Sequence, residues 1–307
     1  MSINKEGNAY TMTFAIIMVV VVGGLLAYIA STLKPIQQAN VKNEKMQNIL
    51  QAIGLEETNG VSRDDAGKIF NDYITKRIIL DYDGNVVSEL TNEDEIKAGA
   101  KKMKDEKDAF NLDVRKYYNT LTGLMKKYPE GGAEYEAALK SEGITYPLFV
   151  AENEGKKYYV TYFSGKGLWD DIWGYVAFKE DGSTINGTVF DHKGETPGLG
   201  SKITEDLFQN QFKGKIITDE NSGEYKPIKV EKPGGDYNKH QVAGLSGATF
   251  TAVGVDEMMN RSLAVYNKYF STLKTASVLP VEIPVSDSIT ALDSIPVVID
   301  STLLATK

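Results

Sequence analysis

The chain has 307 residues, with 34 Lys and Arg against 42 Asp and Glu, two His and no Cys. A net charge of −8 and a pI near 5.1 leave no basic surface for neutralising the phosphates of a nucleic acid. Without cysteine there is no thiolate-bound iron–sulfur cluster, c-type haem attachment, disulfide or thiol nucleophile. His192 and His240 lie in no ligand-like spacing, so no metal site is expected and any redox chemistry requires an organic cofactor.

The stretch from Gly7 to Leu33 carries no charge and is almost wholly apolar from Phe14 to Ala30. At about 1.5 Å per residue it is long enough to cross a hydrocarbon core of roughly 30 Å. One transmembrane helix is expected at 10–33, after a short N-terminal segment, 1–9. The apolar core is too long, and its basic flank too weak, for a cleaved signal peptide. A mean hydropathy of −0.28 places the rest of the chain in water. Lys34, Lys42 and Lys45 outnumber Lys5 at the flanks, which by charge alone places the C-terminal bulk in the cytoplasm.

Ala39 to Leu55 reads as a helix with Met46, Ile49, Leu50 and Ile53 on one face. Arg77 to Leu90 is a hairpin about Asp83-Gly84. The portion 92–140 is charged and mainly helical, and Asn92 to Leu121 within it shows no evident chemistry. From Ile144 to Phe190 four β-rich runs, TYPLFV, KKYYVTYF, GYVAF and STINGTVF, imply an antiparallel sheet. Lys215 to Thr218 adds a shorter run. Thr251 to Phe270 is amphipathic at a 3.6 period, with Val255, Met258, Met259, Leu263, Tyr266 and Phe270 in step. The segment 271–307, with Pro280, Pro284 and Pro296 and no aromatic residue, reads as an extended tail.

Three glycine-rich stretches join these runs: Gly165 to Trp169, Gly194 to Gly200, and Leu245 to Thr251. Each is either a turn or a cradle for a flat or anionic ligand, because glycine allows close backbone approach. None matches a P-loop or a dinucleotide fingerprint. Ser246 to Thr251 precedes the amphipathic helix, where free amides and the helix dipole favour a phosphate. Its hydroxyls are equally suited to capping. Small Gly247 and Ala248 leave the Thr249 hydroxyl accessible.

Four segments in order, LKPIQQANVKNEKMQNILQAIG (33–54), GLWDDIWGYVAF (167–178), GETPGLGSKI (194–203) with QFKGK (211–215), and SGATFTAVGV (246–255), resemble the C subunit of the Na+-translocating NADH:quinone reductase over about residues 10–270. The resemblance implies an α+β protein: one N-terminal transmembrane helix, then an FMN-binding domain with a largely antiparallel sheet and packed helices, spanning 34–270 outside the cytoplasmic membrane. The family's outward orientation is taken over the lysine count. It further implies FMN joined through its phosphate to Thr249, attached by a separate flavin transferase, so that no catalytic residue is expected in the chain. Around Thr249, the resemblance points to Ser246, Gly247 and Ala248; to Glu195, Thr196, Gly198, Leu199 and Gly200; and to Gly167, Leu168 and Trp169 as cofactor contacts. Partners would be the other subunits of an inner-membrane complex that pumps Na+. The motif departs from the family at Ala243, three positions before Ser246, where an acidic residue is usual. The alternatives are a flavoprotein like the G subunit of the Rnf complex, with ferredoxin and NAD as redox pair, and a non-redox envelope binding module.

Overall fold

In the computed structural model, residues 7–55, 61–91, 108–129 and 131–278 are described. The first element, α1 (Asn8–Ala52), is one helix running through both the apolar stretch and the expected Ala39–Leu55 helix. Pro35 lies inside it without ending it. The missing N–H of Pro35 leaves the Ser31 carbonyl, at the end of the apolar stretch, without its helical donor. Among the described residues α1 alone is long and apolar enough to cross a membrane, and its apolar window packs on nothing. Farther on, Met46, Ile49, Leu50 and Ile53 are buried, as their spacing predicts.

Helix α2 (Arg63–Tyr73) starts at Ser62, whose hydroxyl accepts from the Asp65 amide at 3.1 Å, with Asp64 and Asp65 in the first turn. Strands β1 (Ile74–Leu80) and β2 (Val86–Thr91) form the expected hairpin. Its turn is held by Asp81, which accepts from the Asp83 and Asn85 amides at 2.9 Å each, while Gly84 takes a φ of +82°. Of the charged portion, 92–107 lies outside the described residues. The part from 108 onward is built of short helical pieces: two 3-10 turns, then α3 (Tyr118–Lys127) and α4 (Ala133–Ser141). Leu121 and Leu139 pin the last two onto the core.

Strands β3 (Tyr146–Asn153), β4 (Lys156–Lys166), β5 (Asp171–Lys179) and β6 (Ile185–His192) complete a six-stranded antiparallel sheet of order β2-β1-β3-β4-β5-β6. Lys215 to Thr218 is not a strand and makes only isolated bridges, Thr184 to Ile216 and Thr218 to Tyr225. After a single-turn helix α5 (Asp206–Gln209), a parallel pair, β7 (Lys229–Glu231) and β8 (Gln241–Ala243), leads into α6 (Thr249–Val278). Helix α6 runs past Phe270 to Val278, so a tail starting at 271 is corrected: 271–278 continue the helix, and 279–307 lie outside the described residues.

Each face of the sheet has its own core. On one, Met258, Met259, Leu263, Tyr266 and Phe270 of α6 pack on Phe163, Val176 and Phe178. On the other, Ile49 and Leu50 of α1 pack with Phe70, Phe110, Phe149, Tyr162 and Tyr175. Helix α1 descends along β5 and β6. Its end at Ala52 abuts Gly187 and Asn186, and its earlier residues Val41 and Glu44 line a groove with Trp173 and Tyr175. The apolar part of α1 therefore leaves the domain at the end of the sheet where β5 begins and β6 stops.

Candidate functional site

At that same end the three glycine-rich stretches meet. The first is the turn between β4 and β5, closed by the Gly167 amide donating to the Asp170 carbonyl at 2.9 Å. The second comes after β6, and the third is the turn that starts α6. Their convergence is a consequence of register. Lys166 pairs with Asp171, and Ile172 with His192, so the β4–β5 turn and the β6 exit are neighbours.

Close approach explains the glycines. A Cβ on Gly165 would stand 2.5 Å from Met258 Cβ, and one on Gly254 would overlap the Lys166 carbonyl. Helix α6 thus lies directly on the end of β4. Gly247, at φ +78°, turns the chain into α6 and sits under Leu199, 3.2 Å from where its Cβ would be. Ala248, which has no side-chain acceptor, is buried just before the helix, while Thr249 opens it and is exposed. First-turn amides have no partner within a helix and the dipole is positive there, so this is a place for a phosphate beside a free hydroxyl.

Ser246, Gly247, Thr196, Gly198 and Leu199 are exposed around Thr249, and Gly167 is half-buried. The Trp169 indole donates to the Thr196 hydroxyl at 3.0 Å, joining the first two loops. Four large apolar side chains stand in water here: Leu168 at 49 %, Trp169 at 66 %, Leu199 at 42 % and Phe250 at 72 % exposure. Beside them opens a mostly apolar cleft of about 440 Å³ between α3 and the start of α6. Tyr118, Thr122, Met125 and Lys126 form one wall, and Gly167, Leu168, Phe250 and Val253 the other. Exposed apolar surface beside a helix N-terminus fits a flat ring carrying a phosphate. Lys166 does not point free at the cleft; it is shared between Asp170 and Asp171 at 3.4 Å each.

Two expected contacts take other places. Glu195 and Gly200 are buried beneath the loops, and the Glu195 carboxylate accepts from Thr251, Trp169 and Asp170 of this chain. Sequence reasoning missed Thr251 and Phe250, although both lie in the stretch Leu245 to Thr251, and Val253 two residues beyond it. It also missed the α3 wall, which carries no local signal because its contribution is purely tertiary. Ala243 is held at both backbone groups by Gln211, its amide donating to Oε1 at 2.8 Å.

Residues 167–264 match the FMN-binding domain family. Over 257 residues the chain is 30% identical to the C subunit of the Na(+)-translocating NADH-quinone reductase of Vibrio parahaemolyticus, covering 83% of this chain and 90% of that one. The corresponding protein of Haemophilus ducreyi is 29% identical over 82% of this chain and 88% of its own length. Among solved structures, the C subunit from Parabacteroides distasonis superposes with a TM-score of 0.59 at 35% identity, covering 78% of this chain and 97% of that chain. The Shewanella oneidensis NqrC structure gives 0.54 at 27% identity, over 76% and 98%.

Proposed function

The chain belongs to the family of C subunits of the Na(+)-translocating NADH-quinone reductase, and from that premise we propose that it relays electrons through one FMN esterified to Thr249, within a membrane complex that couples NADH oxidation by quinone to Na+ pumping. One observation carries this reading: three glycine-rich loops converge on an exposed threonine at the first turn of a long helix, beside exposed apolar side chains. FMN, when bound, supplies the electron-transfer chemistry.

The chain's own residues do the placing. Amides of the α6 first turn take the phosphate, and the Thr249 hydroxyl accepts the ester. Leu168, Trp169, Leu199 and Phe250 offer the ring apolar surface. His192 is not a base for Thr249, since its Nδ1 accepts the Glu195 amide at 3.2 Å. That agrees with attachment by a separate transferase. The apolar length of α1 anchors the chain in the inner membrane, with the flavin domain on the periplasmic side. Because the flavin loops share the end of the sheet from which this length departs, the cofactor would stand close to membrane-embedded partner subunits.

Co-expression with a flavin transferase tests the reading. The wild-type chain is expected to gain the mass of one FMN less one water and to keep its flavin fluorescence on a denaturing gel, and Thr249→Ala is expected to lose both. Flavin that leaves the wild type on denaturation would overturn the covalent link.

A further inference from the structure

Thr249 is not the only threonine at the start of α6: Thr251 lies in the same turn. What separates them is Glu195. The residue is 4 % exposed. One oxygen accepts from the Thr251 hydroxyl at 2.6 Å, and the other from the amides of Trp169 at 2.9 Å and Asp170 at 3.4 Å. The carboxylate also occupies the space where two glycines would carry side chains. A Cβ on Gly167 would come within 2.5 Å of Oε1, and one on Gly200 would overlap both Oε2 and the Thr251 hydroxyl. One buried group therefore touches all three glycine-rich stretches, and Thr251, itself 1 % exposed, has its proton committed inward.

We propose that Glu195 is a positioning residue for flavin attachment, a clasp that locks the three loops and the first turn of α6 so that Thr249 is the threonine presented. This rests on the reading of Thr249 as the flavin acceptor. In the step it serves, a bond forms between Thr249 Oγ and the FMN phosphorus. The phosphoanhydride of a flavin dinucleotide donor breaks, a nucleoside monophosphate leaves, and the hydroxyl proton passes to the transferase or to water. Glu195 takes no part in those bonds. It accepts hydrogen bonds as an ionised group: burial, the largest single influence, pushes its pKa up, but the bonds from Thr251 and the loop amides more than offset this and hold it below the usual carboxylate range.

The test uses the full-length chain with purified transferase and a flavin dinucleotide, following attachment by intact mass alongside thermal melting of the flavin-free protein. Glu195→Ala is expected to slow attachment about tenfold or more, mainly in kcat, since losing buried charge-assisted hydrogen bonds costs that order. Glu195→Gln, whose amide oxygen still accepts the two loop amides, is expected to recover most of the rate, about threefold below wild type. Attachment at the wild-type rate in Glu195→Ala, or no recovery in Glu195→Gln, would overturn the clasp. Should Glu195→Ala not fold, Thr251→Val removes only the bond to the helix; a slowed rate supports the clasp and an unchanged rate overturns it. A wild-type chain that acquires no covalent flavin overturns the acceptor reading and the clasp together, whereas a modified wild type with an equally fast Glu195→Ala overturns the clasp alone.

Discussion

The two faces of the sheet solve the same packing problem by opposite means. Toward α6 both partners give up side chains: Gly165 of the sheet makes room for Met258, Gly254 of the helix lets its backbone meet the Lys166 carbonyl, and Tyr266 reaches through to the Pro147 and Tyr162 carbonyls at 2.7 and 3.2 Å. Toward α1 it keeps bulk and lets charge in: Arg77 and Asp108, each 1 % exposed, pair at 3.5 Å, and a lysine sits among the rings. Lys45 is part-buried, with its ammonium 4.8 Å from the Tyr162 ring centre and 4.9 Å from that of Phe110, and it donates to the Phe110 carbonyl at 2.6 Å. Tyr162 and Tyr175 stack beneath it at 4.6 Å. The face that must place a cofactor is held by backbone contact, which allows little play. The face that docks a stem is held by adaptable side chains around a polar head.

The sharpest way to break this contrast is Gly254→Val. If the α6 face depends on backbone approach, the added side chain meets the Lys166 carbonyl and costs at least about 3 kcal/mol; a melting temperature within a few degrees of wild type would refute it. Next comes the α1 face. Burial, the largest influence, together with Arg115 pulls the Lys45 pKa down to about 7 against the attraction of Asp108 and Asp113. Its folded pKa is thus below the unfolded one, so the stability it contributes is fully present above about pH 10.5 and is lost as pH falls toward 7. Measured against Lys45→Met, in which the tyrosine titrations cancel, the wild type should gain about 2 to 3 kcal/mol from pH 7 to pH 10 in denaturant melts. Parallel pH profiles would deny the buried charge its role.

A smaller effect is expected from Tyr266→Phe, which leaves two buried carbonyls without their donor and should cost about 1.5 kcal/mol in urea unfolding. The smallest belongs to neither face. Lys76 and Glu89 pair across the hairpin at 2.7 Å in open solvent, and Lys76→Ala should change stability by about 0.5 kcal/mol or less. A larger loss there would mean that the hairpin contributes more than its position suggests.

What was legible in the sequence was local. The buried stripe of Met46, Ile49, Leu50 and Ile53, the Asp83-Gly84 hairpin and the four β-rich runs are periodicities and turn chemistry written within a few residues. The unbroken passage of α1 through Pro35 was not legible, because an exposed proline costs a helix less than a buried one. Thr249 could be singled out from its small neighbours and its place before an amphipathic helix. That Glu195 lies under the loops, and that Tyr118 and Met125 wall the cleft, depends on the register of β4 to β6 and on tertiary docking, which no short window contains. The helix beyond Phe270 was hidden by a compositional change that does not coincide with a structural end.

Helix α1 enters the domain without a joint, and that makes its exposed length between Leu33 and Val41 a ruler. An insertion of one residue there would raise the domain about 1.5 Å and swing it about 100° around the helix axis, whereas seven residues would raise it about 10 Å with nearly the same heading. In the function proposed above, the flavin's height over the bilayer and its compass bearing toward neighbouring subunits are thus written into the residue count of the stem, and a flexible linker in its place would erase both.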